Sequence, residues 1–348
     1  MRIQAVGDNP VERLLLALDL LPVSLLDTHG SFMRGRAIMV GVKLGVFDAL
    51  AAAPLAAAQV AERCGTHAGA TEKLLNALVG SGYLSFARDR YALRRVARRW
   101  LVGDAPHSLR DKVLFEFVEW RLTERFEDFV RSGKPEDLHR SVSAEDWGLY
   151  QRAMRALSGL AAPELARRTP MPKQATRMLD IGGAHGYQSV ALCRRYPGLS
   201  AVVLDLPAAI EHSAPILARE GMGERVVHQA GDVLSTDLGV EAWDFVLISQ
   251  LLHHFDESTN RDITRRVARS LRPGGAFAIL EIVRPGTPGA LGQAGALLDL
   301  YFAVTSQSGT WSIPEMSGWQ RDAGLLPRPP IRLRTLPGAA QVVAVKPG

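Results

Sequence analysis

The sequence predicts an α/β fold, an open sheet with helices on both faces, preceded by a mainly helical region that contains one hairpin. Three observations carry that prediction. Met178-Leu179-Asp180-Ile181-Gly182-Gly183-Ala184-His185-Gly186 is an apolar run that stops on glycines, and the apolar positions Val190, Ala191 and Leu192 follow it. This is the pattern of a buried strand, a tight turn and a helix packed back on the strand. Further apolar runs recur downstream, at Ala201 to Leu204, Arg225 to Ala230, Trp243 to Ser249 and Ala276 to Val283, as strands of a parallel sheet do. From Val11 to about Pro170, in contrast, the apolar spacing is helical.

With 348 residues the chain is long enough for two domains and a large core. In the first part, Ala37 to Leu50 reads as one apolar helix, Ala57 to Arg63 as a second and Thr71 to Ser81 as a third. Gly82 to Phe86 and Tyr91 to Leu93, joined by the polar turn Arg88-Asp89-Arg90, read as a hairpin. Three helices and a hairpin make a winged-helix arrangement, which in DNA-binding proteins places the third helix in the major groove. That helix has few basic or amide side chains for base edges, so no nucleic-acid partner is expected. Leu114 to Trp120 is an aromatic-rich helix; its rings, Phe115 and Trp120 among them, either pack in the core or line a pocket for a flat apolar substrate. Pro170-Met171-Pro172 marks a boundary, giving domains at 1–105, 106–170 and 171–348.

Composition narrows the function classes. The net charge is +5, and only six of the 41 basic residues are Lys, the rest being scattered Arg. Clusters such as Arg94-Arg95-Arg98-Arg99 have helical spacing and read as solvated faces. Cys64 and Cys193 lie in no metal-ligand spacing and point to a reducing compartment. Neither a cleavable leader nor an apolar stretch of membrane-spanning length is evident, so a cytoplasmic protein without a membrane partner is expected.

The turn itself specifies a ligand class. Glycines let a ligand approach the backbone, and the N–H groups opening a helix attract polar ligand atoms. The spacing D-x-G-G-x-x-G differs from the dinucleotide fingerprint G-x-G-x-x-G. Asp205 ends the second run, where an acid can bond a ribose diol, and Gly231-Asp232-Val233 ends the third. An acid there suits a ribose diol, whereas phosphates require Lys or Arg.

These motifs, with Asp205-Leu206-Pro207, Leu252-His253-His254-Phe255-Asp256-Glu257 and Pro273-Gly274-Gly275, resemble the class I S-adenosylmethionine-dependent methyltransferases, and within them the small-molecule O-methyltransferases of the caffeate and hydroxyindole type. The resemblance runs from about Phe32 to the C-terminus. It implies a Rossmann-like methyltransferase sheet behind a winged-helix dimerisation domain, a homodimer, and S-adenosyl-L-methionine as cofactor. Asp180, Gly182, Gly183 and Gly186 would hold the methionine part, Asp205 with Leu206 the ribose, and Gly231, Asp232 and Val233 the adenine, with Ser249 nearby. His253 would be the general base, oriented by Glu281, and Met154, His254, Tyr301, Phe302 and Trp311 would join Phe115 and Trp120 at the acceptor. In this family an Asp follows the catalytic histidine and a second glutamate orients it. Here His254 and Trp311 stand at those positions, and Trp311 is expected to widen an apolar wall. The implied activity is methyl transfer to a hydroxyl of a small, largely apolar metabolite. C-methylation or other cofactor-bound chemistry on the same fold and, from another class, a winged-helix, ligand-responsive DNA-binding regulator are the alternatives. A metal held by His253, His254 and Glu281 is weighed and not expected, since adjacent histidines on a strand end tend to point apart, and His185 is expected to be a loop residue.

Overall fold

The computed structural model describes residues 3–136, 138, 142–290 and 292–348. The chain divides into two compact units, one up to Phe117 and one from Val118.

In the first unit the helices Ser31–Lys43, Val46–Ala49, Ala57–Cys64 and Ala68–Gly80 precede a hairpin of β1 (Leu84–Ala87) and β2 (Arg90–Leu93). The single helix expected from Ala37 to Leu50 is broken, because Gly45 takes a left-handed conformation with φ of 76°, which ends a helix and re-aims the chain. The break lets Val42, Phe47 and Leu50 meet Leu75, Leu78, Leu84 and Tyr91 in one core. The hairpin turns through Arg88 and Asp89, both with positive φ, the geometry that matches the twist of paired strands.

The second unit is built on an eight-stranded sheet. Its strands are β3 (Arg177–Ile181), β4 (Ser200–Asp205), β5 (Val226–Ala230), β6 (Trp243–Ser249), β7 (Leu271–Ile282), β8 (Leu326–Pro327), β9 (Ile331–Arg332) and β10 (Ala339–Val345). The order is β5-β4-β3-β6-β7-β10-β8, with β9 also on β10; β5 to β7 pair in parallel and β10 is antiparallel. Central strands buried on both faces read as continuous apolar runs, and separate core clusters form around Phe277 with Trp319 and around Phe245 with Leu247. The Pro273-Gly274-Gly275 turn proves to be a bulge inside β7: Leu271 pairs with Trp243, but the next pair is Ala276 with Phe245. Gly274 has φ of 77° there. The helix Ala144–Arg168 packs on the helices Tyr187–Arg195 and Pro207–Ala218, so the second unit begins well before Pro170.

The strand order reverses between β3 and β6. Ligands of open α/β sheets bind beyond the carboxyl ends of the strands at such a switch point. Both the glycine turn after β3 and the His253 segment after β6 lie there.

Candidate functional site

The turn after β3 runs through left-handed backbone, which glycine adopts freely and alanine only under strain: Gly182, Ala184 and Gly186 have φ of 67°, 46° and 67°. It is also tightly packed. A Cβ on Gly182 would lie 2.8 Å from the Leu251 side chain, and one on Gly183 would lie 2.6 Å from the Asp180 carboxyl carbon. Asp180 is 1% exposed; Ser189 Oγ donates to its Oδ2 at 2.6 Å, and its Oδ1 has no partner among the described residues. Burial pushes this carboxyl up to about 7, against the Ser189 bond and helped by the charge of Asp205. A buried acceptor without a donor is costly unless a ligand supplies one. An ammonium group placed on the turn is such a donor.

His185 sits inside the turn and is buried. Its Nδ1 accepts from Tyr187 N at 3.1 Å and its Nε2 faces Ser158 Oγ at 3.2 Å, with a further bond to the Met154 backbone. Burial, with Arg155 and His228 nearby, pulls the imidazole down to about 3, so it is neutral and fixed as one tautomer. Gln188 Nε2 also donates to Ser158 Oγ, at 3.2 Å. The turn is thereby pinned to the stretch of Ala144–Arg168 that contains Met154.

Asp205 ends β4. Its Oδ2 accepts from Ala184 N and its Oδ1 from Leu206 N, both at 2.8 Å. Burial raises its carboxyl; these two bonds and the nearby His228 oppose the rise. A carboxylate has about four acceptor sites, so two backbone bonds do not saturate it. His228 Nε2 lies 2.7 Å from Ala184 O, holding the turn from the other side. Leu206 is half exposed and precedes the helix Pro207–Ala218. After β5, Gly231 N donates to Asp205 O at 2.9 Å, Asp232 Oδ1 accepts from Leu234 N at 2.8 Å, and Val233 is buried with its carbonyl held by Arg266.

Ser249 ends β6, Gln250 follows with φ of 55°, and Leu252–His254 forms a single 3₁₀ turn. Glu281, near the end of β7, organises that turn: its Oε1 accepts from Leu251 N at 2.8 Å and Leu252 N at 2.7 Å, and its Oε2 lies 2.9 Å from His253 Nδ1. His253 is 4% exposed and Glu281 1%. A carboxylate on Nδ1 fixes the proton there and leaves the Nε2 lone pair as the basic atom. From the opposite side Asn260 Nδ2 and Trp311 Nε1 both donate to Leu252 O, at 2.9 and 3.0 Å.

Aromatic rings surround the imidazole. His254 and Phe302 have centroids 4.1 and 4.5 Å from that of His253, and Tyr301 stands 5.3 Å from Phe302. Tyr301 Oη donates to Glu119 Oε1 at 2.8 Å. Trp311 departs from expectation. It is 7% exposed, lies edge-on to Trp319 at 5.0 Å inside the core and pairs with Val283 beside β7; its ring is directed inward and holds Leu252 instead of widening a wall. Trp120 lies in the second unit, on the helix Arg110–Thr123, and the fully buried Phe115 of the same helix belongs to the first unit. Among the described residues no group of three His, Cys, Asp or Glu is arranged to hold a metal ion. The sequence assigns no role to Glu119, Asn260 or the Ser158 hydroxyl, since each meets its partner only through tertiary packing.

Comparison with known proteins adds independent findings. Residues 136–322 match the family described as the O-methyltransferase domain, and residues 26–103 the O-methyltransferase dimerisation domain. The 3-hydroxy-5-methyl-1-naphthoate 3-O-methyltransferase of Streptomyces sahachiroi is 29% identical over 337 residues, covering 93% of this chain and 94% of that protein. The N,N-dimethyltransferase OxyT of Streptomyces rimosus is 26% identical over 335 residues, covering 93% and 96%. Among solved structures, human N-acetylserotonin methyltransferase in complex with SAM superposes with a TM-score of 0.82 at 20% identity, over 99% of this chain and 100% of that one.

Proposed function

Since the chain belongs to the O-methyltransferase family and is an S-adenosylmethionine-dependent methyltransferase, we propose that it methylates a hydroxyl of a small, largely apolar aromatic or polycyclic metabolite, with His253 as general base. The observation that carries this reading is the buried His253–Glu281 pair set beside the glycine turn at the switch point of the sheet.

When bound, S-adenosylmethionine supplies an electrophilic methyl group on a sulfonium. The chain's own residues do the rest. Asp180 Oδ1 and the backbone of Gly182, Gly183 and Gly186 would receive the cofactor's methionine end. Asp205, with Leu206, would accept the ribose hydroxyls, and Gly231, Asp232 and Val233 would take the adenine, with Ser249 at the edge. Methyl transfer needs the acceptor oxygen in line with the methyl group and water excluded, a task assigned to Met154, His254, Tyr301 and Phe302, with Trp120 at the margin. A phenol of pKa ~10 is protonated at neutral pH. His253 Nε2 would take that proton and Glu281 would stabilise the resulting imidazolium; such base catalysis contributes roughly 10²- to 10⁴-fold. The winged-helix unit reads as a homodimerisation element, supported by the dimerisation match. Its third helix carries Lys73 as its one basic residue, which gives the DNA-binding alternative no support.

Calorimetry with S-adenosylmethionine and S-adenosylhomocysteine, followed by transfer of a tritiated methyl group to a panel of naphthols, tests the proposal. Micromolar binding and label on the aryl oxygen are expected. Label on carbon or nitrogen would redirect the acceptor class, and a His253→Ala variant with full turnover would remove the general base.

A further inference from the structure

Ala184 takes a left-handed φ of 46° although it carries a Cβ, a backbone that an L residue holds only when its surroundings impose it. Its peptide groups are gripped from two sides. The Ala184 N–H donates to Asp205 Oδ2 at 2.8 Å, and the Ala184 carbonyl lies 2.7 Å from His228 Nε2. A carbonyl only accepts, so the His228 proton is on Nε2. The same nitrogen lies 3.4 Å from the hydroxyl of Ser213, which is fully buried on the helix Pro207–Ala218. His228 stands on β5 opposite Val203 of β4, and the strand order β5-β4-β3 means that its side chain reaches over β4 to the turn. We propose that His228 is a positioning residue for the cofactor's ribose: by holding the Ala184 carbonyl it keeps the Ala184 N–H on Asp205 and so sets the carboxylate for the ribose diol. The inference rests on the assignment of Asp205 to the ribose above and deepens it.

The coupling runs through the two dihedral angles of one residue. The N–H and the carbonyl of Ala184 belong to rigid peptide planes joined at its Cα, so relaxation to negative φ re-aims one against the other and breaks at least one bond. With His228 in place, relaxation is opposed from both sides. Without it, only the bond to Asp205 Oδ2 opposes the strain. Once that bond yields, Asp205 keeps its described bond at Oδ1, from Leu206 N at 2.8 Å, and the carboxylate swings about it. The strand itself stays put, because Gly231 N holds Asp205 O at 2.9 Å independently of His228. A ribose diol presents two donors to one carboxylate, so its affinity depends on how that carboxylate is turned. Burial raises the Asp205 carboxyl, and His228 is among the groups that oppose the rise, in keeping with their closeness.

The experiment titrates the full-length protein by calorimetry with S-adenosylhomocysteine and with its 2′,3′-dideoxy analogue, which lacks the diol. The wild type is expected to bind the analogue about 10- to 100-fold more weakly, the range of hydrogen bonds to a charged group. His228→Leu should weaken S-adenosylhomocysteine about 3- to 10-fold and the analogue less than about twofold, so that the preference for the diol shrinks. His228→Gln, whose amide places a donor near the Nε2 position, should stay within about twofold of the wild type. Glycine adopts the left-handed backbone without strain, so in an Ala184→Gly background His228→Leu should cost less than about twofold. Melting curves confirm that each variant folds. Equal weakening of both ligands by His228→Leu, an unchanged preference for the diol, or a loss in the Ala184→Gly background as large as in the parent would overturn the role of His228. A wild type that binds both ligands equally would instead overturn the assignment of Asp205 to the ribose, and absence of S-adenosylhomocysteine binding the methyltransferase reading, and this inference with either.

Discussion

Replacing Glu281 by Gln removes a charge while nearly preserving shape, and the surrounding hydrogen bonds dictate the outcome. The wild-type carboxylate accepts two backbone N–H bonds at Oε1, at 2.8 and 2.7 Å, and faces His253 Nδ1 with Oε2 at 2.9 Å. In the variant the amide oxygen can keep both backbone bonds, so the turn that positions His253 survives. The amide NH₂ then faces Nδ1. Because that group only donates, Nδ1 must become the acceptor, and the ring proton moves to Nε2, the atom that has to receive the acceptor's proton. The expected loss in kcat is roughly 10²- to 10⁴-fold, with the melting temperature within about 4 °C, since 1 kcal/mol shifts a domain of this size by about that much. Glu281→Ala behaves differently. It strands the Leu251 and Leu252 N–H groups, each worth about 1–3 kcal/mol when buried and unpaired, and should lower the melting temperature on the order of 10 °C. Single-turnover transfer of a tritiated methyl group to the best naphthol acceptor gives the rate, and ¹⁵N-detected NMR of the imidazole reports the tautomer. A Glu281→Gln enzyme with wild-type rate, or one whose His253 proton stays on Nδ1, would refute the reasoning.

Gly183→Ala should lower affinity for S-adenosylhomocysteine at least tenfold and cost about 1–3 kcal/mol of stability, because the new Cβ would sit 2.6 Å from the Asp180 carboxyl carbon; calorimetry with near-native affinity would contradict this. Glu164 tests the acid limb. Burial alone would raise its carboxyl, but bonds from Thr335 N at 2.8 Å, Arg168 Nη1 at 2.6 Å, Thr335 Oγ1 at 2.8 Å and Arg334 N at 2.9 Å hold it at about 2. Its folded value lies below its unfolded one, so its contribution is complete above about pH 4.5 and fades as pH falls toward 2. Glu164→Gln should therefore cost about 3 kcal/mol at pH 7 and progressively less in acid; a penalty that does not change with pH in urea titrations would count against it. Asp180 has the opposite sign. With its folded value near 7, its charge weighs against the fold increasingly as pH rises from about 4 to 7. Asp180→Asn should stabilise by up to about 4 kcal/mol above pH 7 and by almost nothing near pH 4, while cofactor affinity falls. An unchanged melting temperature at pH 8 would sink that account.

Local pattern was enough for much of the molecule. The strand-turn-helix around Gly182, the acid at the end of β4, β6 from Trp243 to Ser249, and the helices and hairpin of the first unit all rest on periodicity and on glycine's freedom, properties that act within a few residues. Where a neighbour in space outvoted the pattern, the sequence misled. Gly45 splits a helix that its apolar spacing continues, because the core needs Phe47 turned back toward Leu78, and Gly274 opens a bulge within β7 so that Ala276 can pair with Phe245. The site divides the same way. His253, Glu281, Asp180 and Asp205 stand at strand ends and are readable from the strands that carry them. Trp311, which turns into the core to hold Leu252, and Glu119, which meets Tyr301 from 182 residues away, are not. Strand ends inherit their location from hydrogen-bond register, whereas a bond between two helices exists only after the chain has packed, and no local periodicity encodes which side chains will then face each other.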